Sequence, residues 1–334
     1  MRQRIMISAG KDLFESFFSR DHQARLTRLF DWEMDGARSA SPGFNRKLAV
    51  ANALITTWDS PRFDDKSLDI APKLRMIAHC GGEVKSRFAS PLFDQLTITN
   101  AAGPMAFATA ELGAALVLYC ARNIDHYREE LRKSSNRIYK QAHAHGTTEY
   151  IVGREVAMIG FGRIGRALVD LLRGFDLRWS VYDPFAPRSL ARDYPIAFRE
   201  LNPLLRRADL LVLTAALTER TRGMLSPKTL ALMPDGATII NIARGGLIDL
   251  SALTVEVRRK RLRCALDVSD PLEPLPVNHP LRNLAGSIVT PHIAGSGRHV
   301  RAEIADTVIN DLEKFFKGKR VQNRVSRSML ERMT

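Results

Sequence analysis

The chain has little of several things that would otherwise direct its reading. Cysteine occurs three times in 334 residues, at Cys80, Cys120 and Cys264, far apart and in no metal-binding or redox spacing. That excludes a disulfide scaffold and a zinc finger, and the expectation is a reduced cytoplasm. No window reaches roughly 18 consecutive apolar residues, so no membrane span is expected. The opening "MRQRIMISAGKDLF" has early arginines, but its apolar run breaks at Gly10-Lys11. It is too short for a secretory core and reads as a first strand. Low-complexity tracts and fixed-period repeats are absent, which excludes solenoids and linkers.

Acid is scarce relative to base. There are 50 Lys and Arg against 36 Asp and Glu, a net charge of +14. Such a balance can mark a nucleic-acid binder. Here the basic residues are spread along the chain among acids. The densest run, "KGKRVQNRVSRSMLERM", has no aromatic residue interleaved for stacking on bases. The expectation is a generally basic surface that draws anionic small molecules, with nucleic acid the lesser reading.

What is present is an ordinary globular composition, 45% hydrophobic and 26% charged, with length for about two domains. Apolar runs at 4–9, 50–57, 73–82 and 96–100 read as strands alternating with helices, hence a parallel α/β sheet. "AFATAELGAALVLYCARN", 106–123, predicts a long, largely buried helix. The polar stretch after it, containing His143 and His145, reads as a loop, and the spacing of the two histidines does not suit a metal pair on one helix face. A second α/β series starts at "REVAMIGFG". Near the end Val300, Ile304, Val308, Leu312 and Phe316 recur every four residues before Gly318, predicting an amphipathic helix with a stop. Chain crossings between two domains are expected near residues 102 and 296.

"VAMIGFGRIGRALVDLL" carries Gly160, Gly162 and Gly165 in G-x-G-x-x-G spacing. The spacing alone is weak. Its context is not: a strand run precedes it, and a helical run follows with Ile164, Leu168, Leu171 and Leu172 on one face. A second strand, "RWSVYD", then ends in Asp183. Gly160 permits a tight turn, Gly162 a close approach of a pyrophosphate, and Gly165 close packing of helix on sheet. The amides opening the helix, at Arg163 and Ile164, would face phosphates. Asp183 would hold the ribose hydroxyls and repel a 2′-phosphate, so NAD is expected over NADP, with nearby Arg188 the residue that argues the other way.

Three further stretches point to a family. "PLLRRADLLVLTAALTERTRGMLSPKTLALMPDGATIINIARGGLID" at 203–249 is followed by "ALDVSDPLEPLPVNHPL" and "TPHIAG". With the glycine motif they resemble the D-isomer-specific 2-hydroxyacid dehydrogenase family, most closely over Val156–Gly295 and least over 10–45 and 125–148. The resemblance implies two doubly wound parallel-sheet domains with the active site in the cleft between them: a flavodoxin-like substrate domain, 1–102 plus 296–334, and an NAD-binding Rossmann domain, 103–295. It implies a catalytic Arg244 in "NIARGG" and a catalytic His292 in "TPHI". Ala243 and Asp267 would contact the cofactor, Asp267 at the nicotinamide carboxamide. The catalytic acid falls in "EPLP", which gives Glu273. A rigid count from the left lands on Leu272 instead, and Asp270 is a second candidate.

The expected reaction is hydride transfer between NADH and a small 2-oxo or 2-hydroxy acid. His292 would be the acid, Glu273 its orienting carboxylate, and Arg244 the clamp on the substrate carboxylate. Amides at Gly81-Gly82 would complete the substrate site. That turn, "HCGGEVKSRF", departs from the family's usual "G-V-G-x-D-x-I-D" and is closer to a branch reading "H-x-A-G-S-V-R". "TNAAGPMAFATAE" lacks the usual T-P-G. Its helix, with Glu111, resembles the family's dimer-forming segment and implies a homodimer. The alternative is a non-catalytic NAD(H)-sensing protein of the corepressor type on the same frame. His279 is given no role, and Trp58 is either core or substrate-facing.

Overall fold

The computed structural model describes residues 2–36, 41–144 and 151–333; His145 lies outside them. Its contacts divide into two compact units, 1–105 with 296–334, and 106–295.

The first unit is built on β1 (Arg4–Ser8), β2 (Asp31–Asp35), β3 (Ala53–Thr56), β4 (Met76–His79) and β5 (Thr97–Asn100). They lie parallel in the order β2-β1-β3-β4-β5, and a short strand, Arg324–Val325, pairs antiparallel on β5. This is the flavodoxin-like order. Both faces are covered. Ile5, Ile7, Ala53 and Ile55 pack under the helix Arg298–Phe316, through Ile304, Val308, Ile309 and Leu312. Met6, Leu54 and Ile77 pack on the other face with Phe44, Phe63, Phe88 and Leu92. The alternation along each strand sets which face a residue serves, and burial on both faces explains why the strands read as unbroken apolar runs.

The second unit holds β6 (Glu155–Ile159), β7 (Arg178–Tyr182), β8 (Ile196–Phe198), β9 (Leu210–Leu213), β10 (Thr238–Asn241), β11 (Arg263–Leu266) and β12 (Ser287–Val289). All pairs are parallel, in the order β8-β7-β6-β9-β10-β11-β12. The winding reverses between β6 and β9, as in a dinucleotide-binding fold.

Three expectations are corrected. The polar stretch after residue 123 is not a loop: it forms the helices Ile124–Lys133 and Ser135–Ala144. Ion pairs three residues apart, Asp125–Arg128, Glu129–Arg132 and Glu130–Lys133 at 2.8–2.9 Å, support the first. His143 stacks on Tyr139, and no metal-binding group occurs among the described residues. The long helix runs Ala102–Ala121 and is buried along one stripe (Ala106, Ala110, Gly113, Val117 and Ala121 among others) rather than on most sides, with Phe107 exposed. By length and hydropathy alone it could cross a membrane, yet this stripe packs into the second unit's core through Ala110, Val117 and Ala121. Finally, Leu171 turns outward, and Val169 takes its place beside Leu168 and Leu172 in the core.

Candidate active site

Apart from those of the glycine helix and Glu273, which lies further along the loop after β11, the expected residues of the second unit lie at or within three residues of the carboxyl end of a parallel strand. Gly160 follows β6, Asp183 follows β7, Ala243 and Arg244 follow β10, Asp267 follows β11, and His292 lies three residues past β12. In such sheets ligands bind at this edge, where the winding reverses.

At the reversal, Gly160 has φ +91°, and a Cβ there would lie 2.6 Å from the backbone of Ala215. Only glycine fits. Thr214 donates its hydroxyl to the Gly160 carbonyl at 2.6 Å and fixes the turn to β9. A Cβ on Gly165 would meet Met158 at 2.8 Å, so the helix Arg163–Leu171 sits directly on the sheet. Gly162 differs: nothing lies within 4 Å of where its Cβ would be. The loop is tight at its two ends and open in the middle, beside a helix N-terminus whose amides are unspent on side chains. That is the shape and polarity a pyrophosphate needs. Arg163 is exposed and Ile164 half-buried.

Asp183 closes this cradle. Its Oδ2 accepts from the Phe161 amide at 2.7 Å, and its Oδ1 accepts from Phe185 and Ala186 at 2.8 and 3.0 Å. An ionised carboxylate has about four acceptor positions, so one is left for a hydroxyl. Arg188 lies over the Phe198 ring, 4.5 Å from its centroid.

His292 is held in an uncommon conformation, φ +57°. Its amide donates to the Asp267 carbonyl at 2.9 Å. The buried Asp267 carboxylate accepts from the Thr290 hydroxyl at 2.6 Å and from the Ile293 and Ala294 amides at 2.9 and 3.0 Å. Thus Asp267 organises the turn that carries the histidine, with one acceptor position remaining.

The structure brings Glu273, not Asp270, to the imidazole. Glu273 Oε2 lies 2.8 Å from His292 Nδ1, and Oε1 accepts from the Ser269 amide at 3.0 Å. Asp270 faces Arg222 instead, at 3.4 Å. The Ser269 hydroxyl donates to the Leu272 carbonyl at 2.6 Å, which coils the longer loop so that Leu272 points outward, 59% exposed. His292 Nε2 has no protein partner among the described residues, and the side chain is 45% exposed.

The electrostatics match this geometry. The hydrogen bond to Glu273 is the main cause that raises the His292 pKa above its ordinary value. Burial and the Arg244 charge work against it. For Glu273 burial acts upward, but hydrogen bonds from His292 and the Ser269 amide, with the charges of His292 and Arg244, bring the net shift below the usual carboxylate value. Each favours the charged form of the other.

Arg244 is placed by Asn241, which sequence reasoning did not single out. Asn241 is fully buried; its side chain donates to the Arg244 carbonyl at 2.9 Å and accepts from the Ala243 amide at 3.0 Å. Thr290 and Ser269 were likewise not foreseen. Asn241 and Thr290 stand inside quoted motifs, but only the folded turn shows what they hold. Among the described residues His279 caps a short turn at Leu281.

In the first unit the Gly81 carbonyl accepts from the Ala101 amide and the Gly82 carbonyl from the Asn100 side chain, both at 2.9 Å. In a trans peptide the amide points opposite to the carbonyl of the preceding residue. The Gly82 N–H therefore points away from the Ala101 amide and the Glu83 N–H away from the Asn100 side chain.

A dinucleotide cradle and a histidine–carboxylate pair on one sheet edge define the class: a nicotinamide-dependent oxidoreductase. Comparison with known proteins gives the family. Residues 114–294 match the D-isomer specific 2-hydroxyacid dehydrogenase, NAD binding domain. The chain is 30% identical over 290 residues to a glyoxylate reductase of Pyrococcus horikoshii, covering 86% of each. It is 30% identical over 262 residues to a D-3-phosphoglycerate dehydrogenase of Methanocaldococcus jannaschii, covering 78% of this chain and only 49% of that relative. The crystal structure of the TT0316 protein from Thermus thermophilus superposes with a TM-score of 0.77 at 28% identity, covering 97% of this chain and all of that one. The chain belongs to the D-isomer-specific 2-hydroxyacid dehydrogenases, NAD-dependent oxidoreductases that act on the CH–OH group of 2-hydroxy acids.

Proposed function

We propose that the protein reduces a small 2-oxo acid with NADH, with His292 as proton donor. The observation that carries this is the 2.8 Å pairing of His292 Nδ1 with Glu273, which leaves Nε2 without a partner among the described residues. A bound reduced nicotinamide supplies the hydride. Glu273 fixes the imidazole's tautomer and favours its protonated form, so that Nε2–H can be given to the carbonyl oxygen. Arg244 offers a planar fork to the substrate carboxylate and polarises the carbonyl. Gly81 and Gly82 are proposed as substrate-binding residues of the first unit.

Gly160, Gly162, Arg163, Ile164 and Gly165 would hold the pyrophosphate, Asp183 the ribose, and Ala243 and Asp267 the nicotinamide end. The carboxylate of Asp183 supports NADH over NADPH. The non-catalytic sensor reading finds no support in a site that keeps Arg244, Glu273 and His292 together. We also propose a cytoplasmic homodimer. Free, buried cysteines support the compartment. Exposed apolar residues on the helices past residue 102 (Phe107, Leu131, Tyr139) support the dimer, and a single-chain mass in sedimentation equilibrium would contradict it.

The test is NADH oxidation against glyoxylate, hydroxypyruvate and an aromatic 2-oxo acid, with NADPH in parallel. The expected outcome is turnover with NADH that falls by at least about a hundredfold in His292→Ala, the scale of general acid catalysis. Turnover equal to that variant's, with NADH still bound, would overturn the proposal.

A further inference from the structure

The Gly81-Gly82 turn is seated on the end of β5. The Ala101 amide donates to the Gly81 carbonyl and the Asn100 side chain to the Gly82 carbonyl, both at 2.9 Å. Asn100 is buried, and its side-chain oxygen also accepts from the Ala102 amide at 3.4 Å. Where Asn100 sits therefore sets where the turn sits.

What fixes Asn100 comes from near the other end of the chain. Its amide donates to the Asn323 carbonyl at 3.3 Å. The short strand Arg324–Val325 continues this pairing along Thr99 and Ile98. Without that segment the outer side of β5 would present unpaired amides and carbonyls. Asn323 is fixed in turn by the helix Arg298–Phe316, where its side-chain amide donates to both oxygens of Asp311, at 3.2 and 3.0 Å. Asp311 and Thr99 are 2% and 1% exposed, and the Thr99 hydroxyl also donates to this carboxylate. A chain of bonded groups thus runs from Asp311 through Asn323 and Asn100 to Gly82, all within the first unit.

Burial is the main cause that raises the Asp311 pKa above its ordinary value. The Asn323 bond, the Lys314 charge and the Thr99 bond act against it. A leucine would fill the same space without that penalty, so packing alone does not account for a carboxylate here. The carboxylate supplies what leucine lacks: acceptors that keep the Asn323 side chain from turning to water.

We propose that Asp311 and Asn323 are positioning residues, which through Asn100 hold the Gly81-Gly82 turn in the shape that binds the 2-oxo acid. The C-terminal segment then serves the substrate site of its own unit as well as covering a sheet edge. The inference rests on the reading of Gly81 and Gly82 as substrate-binding residues.

The test uses the full chain with NADH and whichever acid of the panel above turns over fastest. In Asn323→Ala and Asp311→Leu the KM for that acid should rise by about fivefold or more, the scale of one lost buried hydrogen bond. Both kcat and the KM for NADH should stay within about twofold. Asp311→Asn keeps an acceptor oxygen and should stay within about twofold of the wild type throughout. Leu330→Ala is the control for stability alone. Leu330 is buried in the same unit's core, so this variant should lower the thermal midpoint and leave the KM for the acid unchanged. Independently of turnover, hydrogen exchange at the Ala101 amide, which reports the seating of the turn, should quicken in Asn323→Ala and not in Leu330→Ala. An unchanged KM in Asn323→Ala, an equal rise in Leu330→Ala, or unaltered exchange at Ala101 overturns the proposal and leaves the reductase reading standing. If no acid of the panel oxidises NADH in the wild type, the reductase reading falls, and the substrate role of the turn and of its anchors falls with it.

Discussion

Asp267 shows how far a residue's place in a motif falls short of its work in the fold. Its carboxylate ties down Thr290, Ile293 and Ala294 and so holds His292 at positive φ. An asparagine there cannot accept from both sides. Asp267→Asn should destabilise the chain by about 2 kcal/mol, the cost of a buried amide left unpaired, read from the urea midpoint. It should also lower kcat and weaken NADH binding by about threefold or more, because the same carboxylate is proposed to hold the nicotinamide end. A large loss of NADH affinity at unchanged kcat would instead make the carboxamide its main partner. Glu273, the carboxylate that meets His292, was legible only by aligning "EPLP" from its right-hand end. Counting from the left gave Leu272, because the loop is one residue longer and the Ser269 bonds that coil it exist only in three dimensions. Arg244 and His292 were legible from their motifs; the residues that aim them, Asn241 and Thr290, were not.

At the scale of elements, the strand-end loops are fitted to one another. A Cβ on Gly245 would run into the backbone of Ser269 and Asp270, so the loop bearing Arg244 presses on the loop bearing Glu273. Gly245→Ala must displace one of them, and backbone does not yield as a side-chain tip does. We expect kcat/KM to fall by at least about tenfold, roughly 1.4 kcal/mol of transition-state stabilisation, while NADH binding persists. Unaltered kinetics would mean that the loops are independent. The buried strands and the helix Arg298–Phe316 were legible because their apolar spacing is unambiguous. The helices Ile124–Lys133 and Ser135–Ala144 were not: they expose several apolar side chains and lean on ion pairs, which a search for an apolar stripe passes over. The edge strand β2, "DWEMD", was also missed, since only one of its sides meets a neighbouring strand and its residues stay partly exposed.

For the whole molecule, α/β alternation gave the class of fold, but strand order is a property of the assembled sheet. The orders β2-β1-β3-β4-β5 and β8-β7-β6-β9-β10-β11-β12 were legible only through the family's motifs. The net charge of +14 has a coherent use here, since each ligand considered is an anion and a basic surface favours its approach. The central claim is that His292, kept protonated by Glu273, gives the proton. It is tested most directly by the pH dependence of kcat/KM for 2-oxo acid reduction in the wild type and in Glu273→Gln. Because the protonated imidazole is the active form and Glu273 raises its pKa, wild-type activity should stay level in mild acid. It should fall only as the pH passes a value above the ordinary ~6.5 of histidine. In Glu273→Gln the fall should move to lower pH. Coincident profiles, or activity that rises through this window, would contradict the account.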